Sequence, residues 1–169
     1  MEPLQLLAFV LPAYVANASP VLFGGGTRVD FGQSFNDGKA FFGSGKTWRG
    51  MLAGVVFGTF TGFALALAGD LFLPQLSFHD RMVVAFLLSL GAVVGDLVGS
   101  FVKRRSGIKP GAQHEFFDQL LFLGFALALA SALHLPSATE IAALVAATYV
   151  LHKAANWLAH KANVKAVPW

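Results

Sequence analysis

Apolar residues along the chain form five long runs, separated by polar or glycine-rich segments. Each run approaches the roughly 20 residues that a transmembrane helix needs. The runs lie near residues 2–20, 50–69, 81–102, 117–135 and 138–158. Residues 21–49 form the long loop and residues 103–116 the basic loop. The pattern predicts an all-α, polytopic membrane protein with five transmembrane helices in a single domain, residues 1–169.

The first apolar run shares one feature with a secretory signal peptide. Small residues flank Asn17 in the way that they flank a cleavage site, but no Lys or Arg precedes the run, and Glu2 does. A signal peptide has a basic segment at that position. We therefore expect the helix to be retained, with a kink at Pro12.

Glycine recurs every four residues in two of the runs. The positions are Gly50, Gly54, Gly58 and Gly62 in the second run, and Gly91, Gly95 and Gly99 in the third. Faces of small residues at this spacing let helix backbones approach closely in lipid. The spacing predicts close helix packing, and Asp96 lies beside it. We expect the surroundings of Asp96 to be rigid, which suits a metal site.

Composition and charge agree with a membrane location. Hydrophobic residues make up 56% of the chain and charged residues 12%, against about 25% charged residues in soluble domains. The absence of cysteine excludes disulfides, thiolate metal sites and a cysteine nucleophile. Eleven of the twelve Lys and Arg residues lie in the two loops or near the C-terminus, and Arg81 is the exception.

This distribution of basic residues predicts the orientation of the chain. Cytoplasmic segments carry an excess of Lys and Arg, so both loops and the C-terminus are predicted to be cytoplasmic and the N-terminus outside. The protein would be a multi-pass protein of the cell membrane with its active site facing the cytoplasm. The net charge of +3 then has a topological cause, and nucleic acid binding is not needed to explain it.

Two acids flank the basic loop. Asp96 lies about two turns deeper than Lys103, or ~10 Å along a helix, where a carboxylate costs up to about 2.5–3.5 kcal/mol. Ser100, Lys103 and Arg104 share its helical face, and Asp118 begins the next apolar run. Carboxylates for a divalent cation beside Lys and Arg for phosphates are typical of phosphoryl- or nucleotidyl-transfer sites. Alternatively, Asp96 is a buried acid paired with Lys103 or Arg104 for folding alone.

The long loop carries a second candidate site. A loop of this length in a compact protein is usually functional. Its segment 43–47, GSGKT, resembles the end of a P-loop, but Ala40 replaces the first glycine and no buried strand precedes it, which argues against a P-loop ATPase. Glycine amides, an ammonium and a hydroxyl before a helix still suit a phosphate. The alternative is a flexible surface loop whose basic residues only set the topology.

Two segments resemble a known enzyme family. The segment from Gly95, GDLVGSFVKRRSGIKPGAQHEFFDQL, resembles the signature of CDP-diacylglycerol synthases, which runs from Gly-Asp through Lys-Arg to a later Asp. The segment DFGQSFNDGKAFFGSGKTWRG, with ANASPV and GGG upstream, is more similar to the CDP-archaeol synthase branch, which is also short with five spans. Gln119 and Leu120 follow Asp118, where the bacterial enzymes have Arg and a further acid, so any role of those later residues does not carry over.

The resemblance implies a cytidylyltransferase of phospholipid biosynthesis that uses CTP and an unsaturated archaeal diether glycerol phosphate in the bilayer. Asp96 and Asp118 would hold the cofactor Mg²⁺, with Lys103 and Arg104 as further catalytic residues. Residues that would bind the nucleotide or its phosphates are Lys39, Gly43, Gly45, Lys46, Thr47, Trp48, Arg49, Ser100 and Lys109. Additional candidates are Asn17, Asp30, Asp37, His114 and Glu115.

Three other functions are alternatives to this interpretation. A CDP-diacylglycerol synthase acting on phosphatidic acid would share the same motifs. A small transporter would place ionisable groups near the bilayer midplane and often contain internal repeats, and no convincing repeat is found. A CDP-alcohol phosphatidyltransferase needs the motif D-G-x-x-A-R, whereas Asp37-Gly38 is followed by Lys39-Ala40-Phe41-Phe42.

Overall fold

The computed structural model describes residues 1–108 and 115–161, without the side chains of 115–118, 155, 156, 158 and 159. The described residues form five helices and no strand: α1 (Pro3–Phe23), α2 (Trp48–Leu67), α3 (Phe78–Arg105), α4 (Glu115–Ala130) and α5 (Ala138–Lys161). The predicted all-helical class is confirmed. The largest difference from the predicted spans is at the end of α4, which stops at Ala130, because a turn over 131–133 precedes Pro136.

Three helices within the described residues are long and apolar enough to cross a membrane: α1, α2 and α3. A shorter apolar stretch, Gln119–Ala130, makes up most of α4. These helices support the prediction of a membrane protein, while the count of five spans remains a prediction.

Helices α1 to α4 belong to one compact unit, Met1–Leu135, in which α3 packs against α1, α2 and α4. The predicted glycine faces make this packing possible. A Cβ atom on Gly54 would lie 2.7 Å from the carbonyl oxygen of Ala16 and 2.8 Å from Val93. A Cβ atom on Gly95 would lie 2.7 Å from the Cα of Phe122. The glycines thus let α2 approach α1 and α3, and let α3 approach α4, beside Asp96.

Local capping fixes where α2 begins and where α3 ends. The hydroxyl of Thr47 accepts a hydrogen bond from the amide of Gly50 at 3.2 Å, so Thr47 is the N-cap of α2. After α3, Gly107 adopts a left-handed backbone with φ of +79°, and its amide donates to the carbonyl of Arg104 at 3.2 Å. Both ends border the loops that carry the candidate site.

Helix α5 belongs to a second compact unit, residues 136–169. It begins at a capping box, in which the amide of Ser137 donates to the carboxylate of Glu140 at 2.7 Å and the amide of Glu140 donates to the Ser137 hydroxyl at 3.4 Å. Further along α5, the ammonium of Lys153 lies 4.5 Å from the ring centroid of Tyr149.

Candidate active site

Backbone hydrogen bonds close the base of the long loop. The amide of Val29 donates to the carbonyl of Lys46 at 2.9 Å, and the amide of Trp48 donates to the carbonyl of Thr27 at 3.1 Å. These bonds hold Lys46 immediately before the first turn of α2. The helix N-terminus, with its unsatisfied N–H groups, carries a partial positive charge.

Asp30 organises the interior of the long loop. Its buried carboxylate accepts hydrogen bonds from the amides of Gly32 (3.0 Å), Phe42 (3.2 Å) and Gly43 (3.3 Å) and pairs with Arg28 at 3.1 Å. Burial alone would raise the pKa of the Asp30 carboxyl, but the three amides and the Arg28 charge together hold this pKa below its usual value. Asp30, a sequence candidate for the site, is therefore engaged inside the loop.

A small, partly open cavity lies where α1, α2 and α3 meet the long loop. Its lining residues are Ala16, Asn17, Pro20, Gly45, Lys46, Thr47, Met51, Val93, Asp96 and Leu97. The structure thus brings five of the predicted site residues to one place: Asn17, Gly45, Lys46, Thr47 and Asp96. The remaining lining residues give the cavity an apolar wall.

An ion pair between Lys46 and Asp96 crosses this cavity. The Nζ atom of Lys46 lies 2.5 Å from a carboxylate oxygen of Asp96, and the two side chains are 26% and 27% exposed. The ion-pair partner of Asp96 is therefore Lys46, and the alternative in which Asp96 pairs with Lys103 or Arg104 is wrong. Those two side chains lie about two turns further along α3, whereas the loop places Lys46 directly beside Asp96.

Ser100, Lys103 and Arg104 are all buried near the end of α3. Burying the charges of Lys103 and Arg104 near the end of a helix is costly unless they are paired. Both make interactions within the protein, but they do not line the cavity that holds Asp96.

The other predicted phosphate-binding residues are divided between exposed and buried positions. Trp48 and Arg49 are exposed in the first turn of α2, while Gly43 is buried with φ of +108°. Lys39 is exposed, and its ammonium donates to the carbonyl of Arg105 at 3.0 Å. Lys39 is therefore engaged with the end of α3 and lies outside the cavity lining.

Four predicted site residues lie outside the described part of the chain or have undescribed side chains: Lys109, His114, Glu115 and Asp118. A site shared by Asp96 and Asp118 thus remains a prediction. Among the described residues, no group of three or more His, Cys, Asp or Glu side chains could hold a metal ion.

Arg105 is a residue that sequence reasoning counted only as a topological charge. In the structure its guanidinium donates to the carbonyl of Lys39 at 3.1 Å and to that of Ala40 at 2.6 Å. Successive residues of a helix point about 100° apart, so Arg105 lies away from the face that Asp96, Lys103 and Arg104 share. The helical spacing alone does not say what Arg105 contacts.

Comparison with known proteins decides the family. A family model described as CarS-like, CDP-archaeol synthase, matches residues 3–169. The chain belongs to the CDP-archaeol synthase family. The CDP-archaeol synthase of Pyrococcus furiosus is 44% identical over 170 residues, which cover 100% of both chains. That of Archaeoglobus fulgidus is 43% identical over 175 residues, covering 98% of this chain and 97% of the relative.

A solved structure of a similar protein agrees with this family. It is described as an intramembrane enzyme for archaeal membrane lipids biosynthesis, and it matches with a TM-score of 0.79 at 40% identity, covering 89% of this chain and 91% of the other. The resemblance predicted from the two motifs is confirmed. So is the predicted enzyme class, a CTP-dependent nucleotidyltransferase of lipid biosynthesis in the membrane.

Proposed function

We propose that this CDP-archaeol synthase family member joins CTP to an unsaturated archaeal diether glycerol phosphate in the cavity that contains Lys46 and Asp96. The observation that carries the proposal is the pairing of one ammonium with one carboxylate in a solvent-open cavity between three membrane-length helices. An ionisable residue such as Asp96 within a long apolar helix is costly and usually functional. The products would be CDP-archaeol and pyrophosphate.

The proposed reaction needs no general base from the protein. An oxygen of the lipid phosphate forms a bond to the α-phosphorus of CTP, and the bond from that phosphorus to the oxygen bridging to the β-phosphorus breaks. The electron pair leaves with pyrophosphate. Because the second pKa of a phosphate monoester is about 6, the nucleophile is already ionised at pH 7. The main obstacle is the repulsion between two polyanions, which cations of the site offset.

The cavity supplies groups for the nucleotide phosphates at the start of α2. Lys46 carries three N–H donors, and Gly45 and Thr47 place it beside the positive end of the helix. Nothing lies within 4 Å of a Cβ added to Gly45, so the backbone there is open to a ligand. A bound triphosphate would compete with Asp96 for the Lys46 ammonium and so free the carboxylate. Further predicted phosphate ligands are Arg49, Lys103, Arg104 and Lys109.

The donors around Asp96 fit a magnesium ion. Asp96 lines the cavity together with Asn17, and both side chains carry oxygen atoms, the ligands that Mg²⁺ prefers. Such ions are usually held by one or two carboxylates plus substrate phosphates, so a large protein cluster is not required. Asp96 would hold the ion, with Asp118 as the predicted second ligand. When bound, Mg²⁺ would offset phosphate charge in the transition state.

The apolar wall of the cavity supports a lipid as the second substrate. Ala16, Pro20, Val93 and Leu97 belong to membrane-length helices and face the same cavity as the charged pair. A phosphate on a lipid could therefore reach the polar end of the cavity while its hydrocarbon stays in the bilayer. The relatives' name, CDP-archaeol synthase, supports an archaeal ether lipid over phosphatidic acid.

The proposed orientation places this end of the helices in the cytoplasm, where CTP is available, with five spans and the N-terminus outside. Contacts between Lys39 and Arg105 bring the long loop to the end of α3 that leads into the basic loop, and Arg81 lies at the opposite end of α3. Single cysteines at Gln33 and Ser106 should therefore react only with reagents that reach the cytoplasmic side. Labelling from outside would overturn the orientation.

Purified protein incubated with radiolabelled CTP, Mg²⁺ and one lipid phosphate at a time tests the function. We expect label in a CDP-lipid with the unsaturated diether phosphate, little with phosphatidic acid, and none without Mg²⁺. Asp96→Asn is the matched inactive control. Equal or greater use of phosphatidic acid would contradict the proposed lipid, and turnover without any divalent cation would contradict the proposed cofactor.

A further inference from the structure

A hairpin in the long loop is held against the end of α3 by one side chain. The loop hairpin, residues 34–40, is closed by an antiparallel bridge between Ser34 and Ala40 and by a hydrogen bond from the amide of Phe35 to the carbonyl of Lys39 at 2.8 Å. The guanidinium of Arg105 donates to the carbonyls of Lys39 and Ala40, at 3.1 and 2.6 Å. The Arg105 Nε atom also lies 3.0 Å from the Asp37 carboxylate.

Aromatic rings complete the contact between the loop hairpin and Arg105. The guanidinium carbon lies 4.9 Å from the ring centroid of Phe35 and 4.7 Å from that of Phe101, which belongs to α3. The Phe35 and Phe101 rings meet edge to face with centroids 5.5 Å apart. In return, the Lys39 ammonium donates to the Arg105 carbonyl at 3.0 Å.

The ion pair with Asp37 is not the main part of this contact. The Arg105 and Asp37 side chains are 21% and 37% exposed, and ion pairs at such exposure contribute little. Both carbonyl bonds come from one guanidinium nitrogen, Nη2, while Nε faces the Asp37 carboxylate and the guanidinium lies close to two rings. A planar guanidinium can make all these contacts at once, and the single ammonium of lysine cannot. The docking therefore depends on the shape of the guanidinium as well as on its charge.

The loop hairpin is connected directly to the phosphate-binding part of the proposed site. Phe42 lies two residues after it, and the amides of Phe42 and Gly43 donate hydrogen bonds to the Asp30 carboxylate. Gly43 in turn accepts a hydrogen bond on its carbonyl from the amide of Lys46 at 3.2 Å. The long loop thus touches α3 at Arg105 and again at Asp96, nine residues apart, or ~13 Å along the helix.

We propose that Arg105 is a positioning residue that docks the loop hairpin on α3 and thereby keeps Lys46 in place for the nucleotide phosphates. The proposal rests on the proposed function. A loop that is docked for only a fraction of the time binds its ligand more weakly by that fraction. Loss of Arg105 should therefore weaken CTP binding and leave the chemical step of the bound complex nearly unchanged.

The test compares Arg105→Ala and Arg105→Lys with Arg81→Ala. Arg81 is a matched control, because it lies at the other end of α3 and also donates to two backbone carbonyls, of Leu76 at 3.0 Å and of Pro74 at 2.8 Å. We expect both Arg105 variants to raise the KM for CTP roughly tenfold, which corresponds to docking about a tenth of the time. Their kcat should change less than about twofold, and Arg81→Ala should leave the KM for CTP unchanged.

A second measurement follows the hairpin without any reaction. Trypsin cleaves after Lys39, whose ammonium and carbonyl are both engaged with Arg105 in the native chain. Cleavage after Lys39 should be faster by a similar factor in both Arg105 variants and unchanged in Arg81→Ala. Should Arg105→Ala fail to fold, Arg105→Lys retains the charge and decides the question.

Three results would overturn the positioning role. They are a wild-type KM for CTP in Arg105→Lys, a fall in kcat with unchanged KM, and cleavage after Lys39 at the wild-type rate. Inactivity of the wild-type chain with CTP would instead refute the proposed function, and with it the role of Arg105 in that function. The cleavage rates would then show separately whether Arg105 docks the hairpin.

Discussion

Neutralising Lys46 and Asp96, singly and together, separates their contribution to folding from their contribution to turnover. In Lys46→Met, the Asp96 carboxylate loses its ion-pair partner, and in Asp96→Asn, the Lys46 ammonium loses its own. In the double variant, neither charge remains. If the pair only stabilises the fold, activity should follow stability across the three variants. If the pair belongs to the site, activity and stability should separate.

The exposure of the pair sets the expected magnitude. Both side chains are about a quarter exposed, at 26% and 27%, between surface pairs worth about 0–1 kcal/mol and buried pairs whose disruption costs about 3–5 kcal/mol. We therefore expect each single variant to lose roughly 1–3 kcal/mol of unfolding free energy. The double variant should lose less than the sum, by roughly 1–2 kcal/mol, because it leaves no unpaired charge.

Activity should follow a different pattern. Asp96→Asn should nearly abolish turnover at any CTP concentration, and Lys46→Met should mainly raise the KM for CTP, because an ammonium that binds phosphate contributes chiefly to nucleotide affinity. The double variant should lose less stability than the two single variants together, and it should remain as inactive as Asp96→Asn. Thermal unfolding and CTP kinetics on the same detergent-solubilised preparations measure both. Additive losses of stability, or a double variant more active than Asp96→Asn, would refute the reasoning.

Three further predictions concern the packing, the loop and the second acid. Gly54→Ala should destabilise the protein by more than about 1 kcal/mol, because its Cβ would lie 2.7 Å from the Ala16 carbonyl oxygen. Gly124→Ala is the control and should not destabilise it, because nothing lies within 4 Å of a Cβ at that position. Thermal unfolding of both variants tests this, and equal unfolding midpoints would contradict it. The pKa of Asp30 is lowered in the folded loop, so the ionised carboxylate stabilises the folded loop at neutral pH. This stabilisation is lost only as the pH falls through the lowered pKa, below about pH 4. Protection of the long loop from an acid-stable protease should therefore be constant from pH 8 to about 5, and a loss centred near pH 6 would contradict this. Asp118→Asn should nearly abolish turnover. If both acids hold one ion, combining it with Asp96→Asn should reduce turnover no further than either change alone. Initial-rate assays in which the two losses multiply would contradict a shared ion.

The helices and the glycine packing could be predicted because their signals are local and periodic. An apolar run of about 20 residues gives a membrane helix, and glycines four residues apart give a close helix contact. Asp96 was recognisable for the same reason, since a carboxylate within an apolar run is costly enough to require a function or a partner. Each of these features can be read from a short stretch of sequence, without knowing how the rest of the chain folds.

The partners of the charged residues could not be predicted in the same way. Lys46 meets Asp96 across 50 residues of sequence, and the path between them depends on hydrogen bonds that Asp30 accepts from loop amides. In sequence, Asp30 looks like any acid in a polar, glycine-rich loop and was therefore a candidate for the site. Arg105 likewise looked like one member of a basic run. Its role depends on a hairpin and an aromatic cluster that exist only after the loop has folded.

The most direct measurement of the central claim is whether CTP occupies the cavity that holds Lys46 and Asp96. The chain contains no cysteine, so Met51→Cys introduces a single thiol in the cavity lining, and Leu67→Cys, at the other end of α2, is the control. CTP with Mg²⁺ should slow alkylation at position 51 at concentrations near its KM and leave position 67 unaffected. Alkylation of position 51 at an unchanged rate, in a variant that still turns over CTP, would contradict the claim.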